Sequence, residues 1–329
     1  MISVIVPVHN GEKLIGACLR ALSEQTVAHD AYELIVVDDG STDQTGSVVG
    51  QYRALLVRQE QQGPAAARNA GAAVARGEIL LFTDADCVPD PDWIEQMSAP
   101  FRDPEISGVR GRYRCDQTEP TARFAQLEYE HKYERLKKKP FVDFIDTSSA
   151  GYRRDVFKQQ GGFPVLFETA SGEDTDLSYR LAEKGFRLVF NPRAVVAHRH
   201  PAALGEYLRR KYKTAVWRVF LYDRHPGKMI RDSHTPQVLK LQIGLFYIVT
   251  GCLVLLPAGR GFGLGLAAAA AAFLVSTVPF AAFAARKNPL VAAWSPVLMF
   301  LRSAVFGVGL AAGAGKLAAA RLRGRKRKA

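Results

Sequence analysis

From Leu241 to Gly259 the chain runs nineteen residues without a charge, and from Gly261 to Ala285 another twenty-five, with Arg260 alone between them. Each run is long enough to cross a bilayer core of roughly 30 Å, which two adjacent buried helices of a soluble domain would have no need to be. The surrounding charge makes the same point. Residues 235–329 contain no Asp or Glu but twelve Lys or Arg, so the whole formal charge of +12 belongs to this apolar quarter. Residues 1–234 hold all 32 acids against 32 basic residues and are neutral. A basic nucleic-acid-binding protein would carry its excess on a patterned folded face, so no nucleic-acid partner is expected. The 48% hydrophobic content excludes disorder.

A third apolar segment, Pro289 to Gly315, is interrupted by Pro296 and by Arg302 near its middle. An Arg at bilayer depth costs at least ~2.5 kcal/mol on insertion scales, so a re-entrant or interfacial course stands beside a spanning one for residues 289–315. With residues 1–234 in the cytosol, spans at 241–259 and 261–285 return Arg286-Lys287 to the inside and leave only Arg260 outside, as the positive-inside rule asks. The basic tail, 316–329, then also stays inside. The expected location is the cell inner membrane, multi-pass, with a cytoplasmic catalytic part and with membrane lipids as partners. Met1-Ile2-Ser3-Val4-Ile5-Val6 reads as a strand with no basic region before it, so no cleavable signal is expected. Cys18, Cys87, Cys115 and Cys252 form no CxxC pair, which points to a reducing compartment.

The neutral front part is itself divided. Residues 1–120 carry a net −8 and residues 121–234 a net +8. In the first, apolar strands at 2–6, 32–37, 54–57 and 78–83 alternate with helical patterns at 14–22, 42–52 and 63–75. That order argues a parallel α/β sheet with right-handed crossovers. Ligands of such sheets bind beyond the carboxyl ends of the strands. Three polar clusters fall there: Val8-His9-Asn10, Asp38-Asp39 and Asp84-Ala85-Asp86. One Asp after a strand is usually a turn or cap residue, the role expected of Asp43 and Asp92, but three clusters on one edge ask for a ligand. Paired carboxylates suit Mg²⁺ or Mn²⁺ bridged to a diphosphate. Farther on, Glu173-Asp174-Thr175-Asp176-Leu177 opens an amphipathic helix in which Asp176 and Arg180 have the i,i+4 spacing of a structural ion pair.

Taken together, these blocks resemble the family 2 glycosyltransferases of GT-A fold. The resemblance lies in Val4-Ile5-Val6-Pro7-Val8-His9-Asn10, Val36-Val37-Asp38-Asp39-Gly40-Ser41-Thr42-Asp43, Gly63-Pro64-Ala65-Ala66-Ala67-Arg68-Asn69-Ala70-Gly71 and Thr83-Asp84-Ala85-Asp86. Gly161-Gly162-Phe163 and Gly172-Glu173-Asp174-Thr175-Asp176-Leu177 follow in the family's order, so the match covers roughly residues 1–200. It implies a Rossmann-like GT-A domain over 1–234, with a nucleotide and metal half at 1–120, an acceptor half at 121–234, and a membrane region at 235–315. It also implies inverting sugar transfer from a nucleotide-diphosphate donor, UDP-linked by preference, to a lipid-linked or cell-envelope glycan. By the same resemblance Pro7, Val8, Asn10, Glu12, Asp39, Arg68 and Asp84 serve the nucleotide, and Asp86, Asp84 and His198 the Mg²⁺ or Mn²⁺. Asp174 is then the base and Glu173 positions it or the acceptor. His198 is preferred over His200 as the metal ligand. A polyprenyl-phosphate sugar transferase would use the same site, whereas a non-catalytic membrane scaffold would have no reason to retain Asp39, Asp84, Asp86 and Asp174.

Overall fold

The structure, a computed structural model, describes residues 1–166, 172–230, 232–233 and 235–326. The last two basic residues of the tail, Arg327 and Lys328, lie outside the described residues. Two compact units form: one from Met1–Asp116 with Tyr133–Arg199, the other from Gln117–Lys132 with His200–Ala329. The composition boundary near residue 234 therefore falls inside the second unit.

The first unit is built on one eight-stranded sheet. Its strands are β1 (Ile2–Val8), β2 (Tyr32–Asp39), β3 (Leu55–Gln59), β4 (Ile79–Phe82), β5 (Cys87–Pro89), β6 (Ile106–Arg114), β7 (Ala150–Arg153) and β8 (Arg187–His198). They lie in the order β3-β2-β1-β4-β7-β6-β8-β5. The first four are parallel, in the α/β arrangement that the alternating pattern predicts. Val4, Ile5, Val36, Val37, Leu80 and Leu81 are fully buried, as strands covered on both faces must be. Helices α1 (Ile15–Ser23), α2 (Thr45–Val49) and α3 (Pro64–Val74) are the crossovers. The second of them is shorter than the expected 42–52, because Asp43 closes a turn ahead of it: its carboxylate accepts the Thr45 N–H at 3.0 Å. Asp92 stands at the N-cap of α4 (Trp93–Ser98), where its carbonyl accepts the Gln96 N–H.

Pro7 lies in a central strand without cost. It pairs with Val37 of β2, and on the other side β4 pairs only as far as Ile5, so no ladder donor is missing there. Strands β6 and β8 run parallel to each other, and β7, between β4 and β6, runs antiparallel to both. The helices of this part are α6 (Arg154–Gln159) and α7 (Glu173–Glu183), preceded in the chain by α5 (Pro120–Leu136).

The second unit is helical. Residues 120–132 of α5 join α8 (Leu204–Arg224), α9 (Pro226–Ile230), α10 (Gln237–Leu255), α11 (Arg260–Ala285) and α12 (Pro289–Lys326). Three of these, over Gln237–Ala258, Arg260–Ala285 and Pro289–Leu322, are long and apolar enough to cross a membrane. The third segment is one continuous helix, not interrupted at Pro296 or Arg302. Proline removes the N–H that would bond the Ala292 carbonyl, and the Ser295 hydroxyl donates to that carbonyl instead, at 2.8 Å. Glycines bring α12 close to α8. A Cβ at Gly309 would meet Ala215 at 2.7 Å, and one at Gly313 would meet the Val216 carbonyl at 2.6 Å.

Arg302 is buried, and its charge is matched inside the protein. It forms an ion pair with Glu128 of α5 and donates to Gln242 of α10 at 2.8 Å. Lys211 also pairs with Glu128, at 3.1 Å, and the Tyr207 hydroxyl donates to the same carboxylate at 2.7 Å. Burial alone would raise the Glu128 pKa, but Lys211 and Arg302 hold it down to about 2. A buried pair that loses one partner leaves an unanswered charge, at a typical cost of about 3–5 kcal/mol. Glu128→Gln is therefore expected to lower the thermal midpoint of the detergent-solubilised protein sharply, and Glu128→Leu combined with Arg302→Leu to recover only part of the loss, because Lys211 and the Tyr207 hydroxyl still lose their acceptor. An unchanged midpoint in Glu128→Gln would show that the pair does not hold this unit together.

Candidate active site

The three polar clusters do meet at the carboxyl edge of the parallel strands, and each is tied to its neighbours. Asn10 takes a φ of 51°, and its side-chain carbonyl accepts the Thr42 N–H at 2.8 Å. Glu12 accepts the Gln44 N–H at 3.0 Å. Both therefore clasp the loop after β1 to the loop after β2. Asp39 fixes the entry to α3: its two oxygens accept the N–H groups of Gln62 and Gly63, each at 2.8 Å, and the Gln59 amide at 2.7 Å. Gly63 stands there with φ 92°, and Pro64 starts the helix behind it. Pro7 and Val8 end the buried strand beside these loops.

Arg68, one turn into α3, is 2% exposed. Its Nη2 donates to Asp84 Oδ1 at 2.7 Å and its Nη1 to Glu173 Oε1 at 2.9 Å, so one guanidinium joins the end of β4 to the start of α7. The guanidinium also lies over the Phe163 ring, 5.9 Å from its centre. Asn69, the next residue, brackets the Phe163 backbone: its carbonyl accepts the Phe163 N–H at 2.9 Å, and its amide donates to the Phe163 carbonyl at 2.7 Å. Arg180, paired with Asp176 at 2.8 Å as the i,i+4 spacing predicts, donates to the Gly162 carbonyl at 2.7 Å. The Arg-Asn, Gly-Gly-Phe and Glu-Asp blocks, the first and last of them 105 residues apart, thus form one bonded assembly.

The two acids at the start of α7 have different surroundings. Glu173 is buried against Arg68. Asp174 accepts the Thr175 N–H at 2.6 Å and its hydroxyl at 3.1 Å. Loss of solvent and then the nearby charges of Glu173 and Asp146 push the Asp174 pKa up to about 7. Asp84 goes the other way. Burial opposes its charge, but Arg68 and the Ser148 hydroxyl, which donates at 2.6 Å, hold its carboxyl below the usual range. Opposed shifts of two carboxylates on one site mark them as candidates for separate roles near neutral pH. Ser148 carries no local signal in the sequence that would mark it as a partner of Asp84.

A metal fits beside them. Ligand atoms of Asp86, Cys87 and His198 lie within 4.8 Å of one another, because β5 and β8 pair with Cys87 opposite His198. The His198 ring stacks on Tyr113. The Asp86 carboxylate suits Mg²⁺ or Mn²⁺ and the His198 imidazole is a somewhat softer donor, whereas burial pushes the Cys87 thiol pKa well up, so the thiol stays protonated and supplies no thiolate ligand. Asp84 is not part of this group, since Arg68 and Ser148 each bond one of its oxygens. His200 belongs to the second unit, where it bonds Gln126 at 2.9 Å and stacks on Tyr129.

The chain is similar to known proteins. The model for "Glycosyl transferase family 2" matches residues 3–161. The glycosyltransferase AglE of Haloferax volcanii is 31% identical over 235 residues, 68% of this chain and 75% of that protein. A pre-mycofactocin glycosyltransferase of Mycobacterium tuberculosis is 30% identical over 240 residues, 69% of this chain but only 48% of that longer protein. Among solved structures, the mannosyltransferase PcManGT of Pyrobaculum calidifontis, in complex with GDP-Man and Mn²⁺, superposes with a TM-score of 0.60 at 25% identity. That superposition covers 93% of this chain and 86% of the mannosyltransferase. The order of the blocks, the sheet they stand on and these relatives agree that the chain is a glycosyltransferase and belongs to glycosyl transferase family 2.

Proposed function

We propose that this enzyme is an inverting, metal-dependent transferase that moves a sugar from a nucleotide-diphosphate donor to a hydroxyl of a lipid-linked or cell-envelope glycan, at the cytosolic face of the inner membrane. The observation that carries this reading is Asp174, whose carboxyl is raised to about 7 at the start of a helix that Arg68 ties to the strand-end acid Asp84. A base with a pKa near the working pH takes a hydroxyl proton most effectively, and contributes on the order of 10²–10⁴-fold. Inversion needs one base opposite the leaving group and an oxocarbenium-like transition state, with no second nucleophilic carboxylate.

The same observation favours a hydroxyl acceptor over the phosphate of a polyprenyl-phosphate sugar transferase. A phosphate monoester, with its second pKa near 6, is largely ionised at pH 7 and needs no base. Burial, and then the neighbouring Glu173 held by Arg68, raise the basicity of Asp174. Pro7 and Val8 line the nucleoside through their backbone. The side chains of Asn10, Glu12 and Asp39 are engaged with backbone groups, so their part is to shape the loops around it. Arg68 and Asp84 position the donor side of the site. Asp86 and His198, with the Cys87 thiol beside them, would hold Mn²⁺ or Mg²⁺. A bound metal neutralises charge on the departing nucleotide diphosphate. Both UDP- and GDP-linked sugars belong in a donor screen, because PcManGT was solved with GDP-Man.

Asp174→Asn is expected to lower transfer by at least 10²-fold while donor affinity, measured by calorimetry, stays within about twofold. Retained turnover would instead favour the phosphate acceptor. Because the base must be ionised, the wild-type rate should fall tenfold per pH unit below about 7 and level off above it. The folded carboxyl is raised above its unfolded value, so the stability it contributes is present below the unfolded pKa and is lost as pH rises through about 7. Asp174→Asn should therefore raise the thermal midpoint at pH 8 and leave it unchanged at pH 3.

Asp86→Ala is expected to abolish Mn²⁺ binding, followed by the electron paramagnetic resonance of the free ion. Changes at groups that only orient ligands typically cost 10–100-fold. Mn²⁺ binding that survives in both Asp86→Ala and His198→Ala would remove these residues as ligands.

A further inference from the structure

The second unit contains a cavity lined by none of the residues assigned to donor, metal or base. It has a volume of about 590 Å³ and lies between α8, α10 and α12. That is within the range of small-molecule sites. Its wall is hydrocarbon from two of the three membrane-length helices: Leu239 and Ile243 on α10, and Phe306, Leu310 and Leu317 on α12. Its mouth is charged. Arg218 of α8, 7% exposed, donates to the Thr235 hydroxyl. Lys240 pairs with Asp232 at 3.3 Å, and Asp223 pairs with Arg321 of α12. Among the described lining side chains, Arg218 and Lys240 stand against Asp223, and their paired neighbours Asp232 and Arg321 add one charge of each sign, so the mouth stays net positive. No acid follows Asp232 in the chain.

We propose that this groove is a binding site for one anionic phospholipid of the surrounding bilayer, with an acyl chain along the α10–α12 wall and the phosphodiester at Arg218, Thr235 and Lys240. An apolar slot closed by a net positive mouth matches a ligand that is hydrocarbon at one end and singly negative at the other. A guanidinium and an ammonium beside a hydroxyl are the donors a phosphodiester takes. The groove is formed wholly by residues of the second unit, whereas Asp84, Asp86, Glu173, Asp174 and His198 all belong to the first. Its own acids, Asp223 and Asp232, are tied in ion pairs. It therefore holds a lipid without reacting with it. A bound lipid joins α8 to α10 and α12, and stabilises the folded protein by mass action.

The test uses the full chain in a neutral detergent, with phosphatidylglycerol or phosphatidylcholine of identical acyl chains added. Native mass spectrometry counts retained lipid, and a thermal melt reads its effect. One phosphatidylglycerol is expected to stay bound and raise the midpoint, while phosphatidylcholine does neither. Arg218→Gln should weaken the preference about fivefold, the share of one basic residue near an anionic headgroup. Leu310→Trp should fill the slot and abolish retention, and Ala314→Leu, a smaller insertion, serves the same purpose where the tryptophan variant does not fold. Equal retention of the two lipids, or retention unaffected by either filling variant, would overturn the proposal. So would displacement of phosphatidylglycerol by one equivalent of polyprenyl phosphate, which would assign the groove to the acceptor lipid. Transfer by the filled variants, assayed in parallel, keeps failure of this site distinct from failure of the catalytic reading.

Discussion

Arg68 is almost wholly buried, and the carboxylates of Asp84 and Glu173 stand on either side of its guanidinium. A buried guanidinium is tolerable only when its charge is matched, and a buried carboxylate is subject to the same rule. The three groups therefore depend on one another, and so do the elements that carry them. Helix α3 brings Arg68, the end of β4 brings Asp84, and the start of α7 brings Glu173 with Asp174 next to it. Asn69 and Phe163 add a second layer, so that the Gly-Gly-Phe turn packs on the same guanidinium. The charge balance that stabilises this part of the domain also tunes its chemistry: Asp84 is held ionised, while Asp174, partly withdrawn from solvent and next to Glu173, is pushed to about 7.

The second unit follows the same rule with other residues. Arg302 sits in a helix apolar enough to cross a membrane, and its charge is met by Glu128, Gln242 and, through Glu128, Lys211. Helix α12 could not keep that residue against lipid at small cost. It keeps it because residues 117–132, remote in the chain, belong to the helical unit and bring a carboxylate with them.

Much of this was legible in the sequence where the signal is local. Period-two and unbroken apolar runs mark β1 to β4, and the polar clusters that follow them mark the ligand edge of the sheet. Two uncharged stretches mark α10 and α11. His198 was distinguishable from His200 only by resemblance, and the pairing of β5 with β8 is what brings it to Asp86 and Cys87. Pairings across long separations leave no local trace. Nothing near Ser148 announces Asp84, and nothing near Arg302 announces Glu128. The unbroken course of α12 through Pro296 depends on one hydroxyl, Ser295, whose bond to a carbonyl no periodicity encodes. Division of the chain into units was likewise hidden, because residues 117–132 fold away from their neighbours in sequence.

The central claim is electrostatic: burial, reinforced by the Arg68-held carboxylate of Glu173, sets the basicity of Asp174. The most direct measurement is the pH dependence of sugar transfer by Glu173→Gln compared with the unaltered enzyme. Glutamine keeps an acceptor for the guanidinium but removes the negative charge that helps raise Asp174. The account predicts that the midpoint of the acid limb moves from about 7 to a lower pH, with transfer retained. A midpoint that stays in place, or moves up, would contradict it.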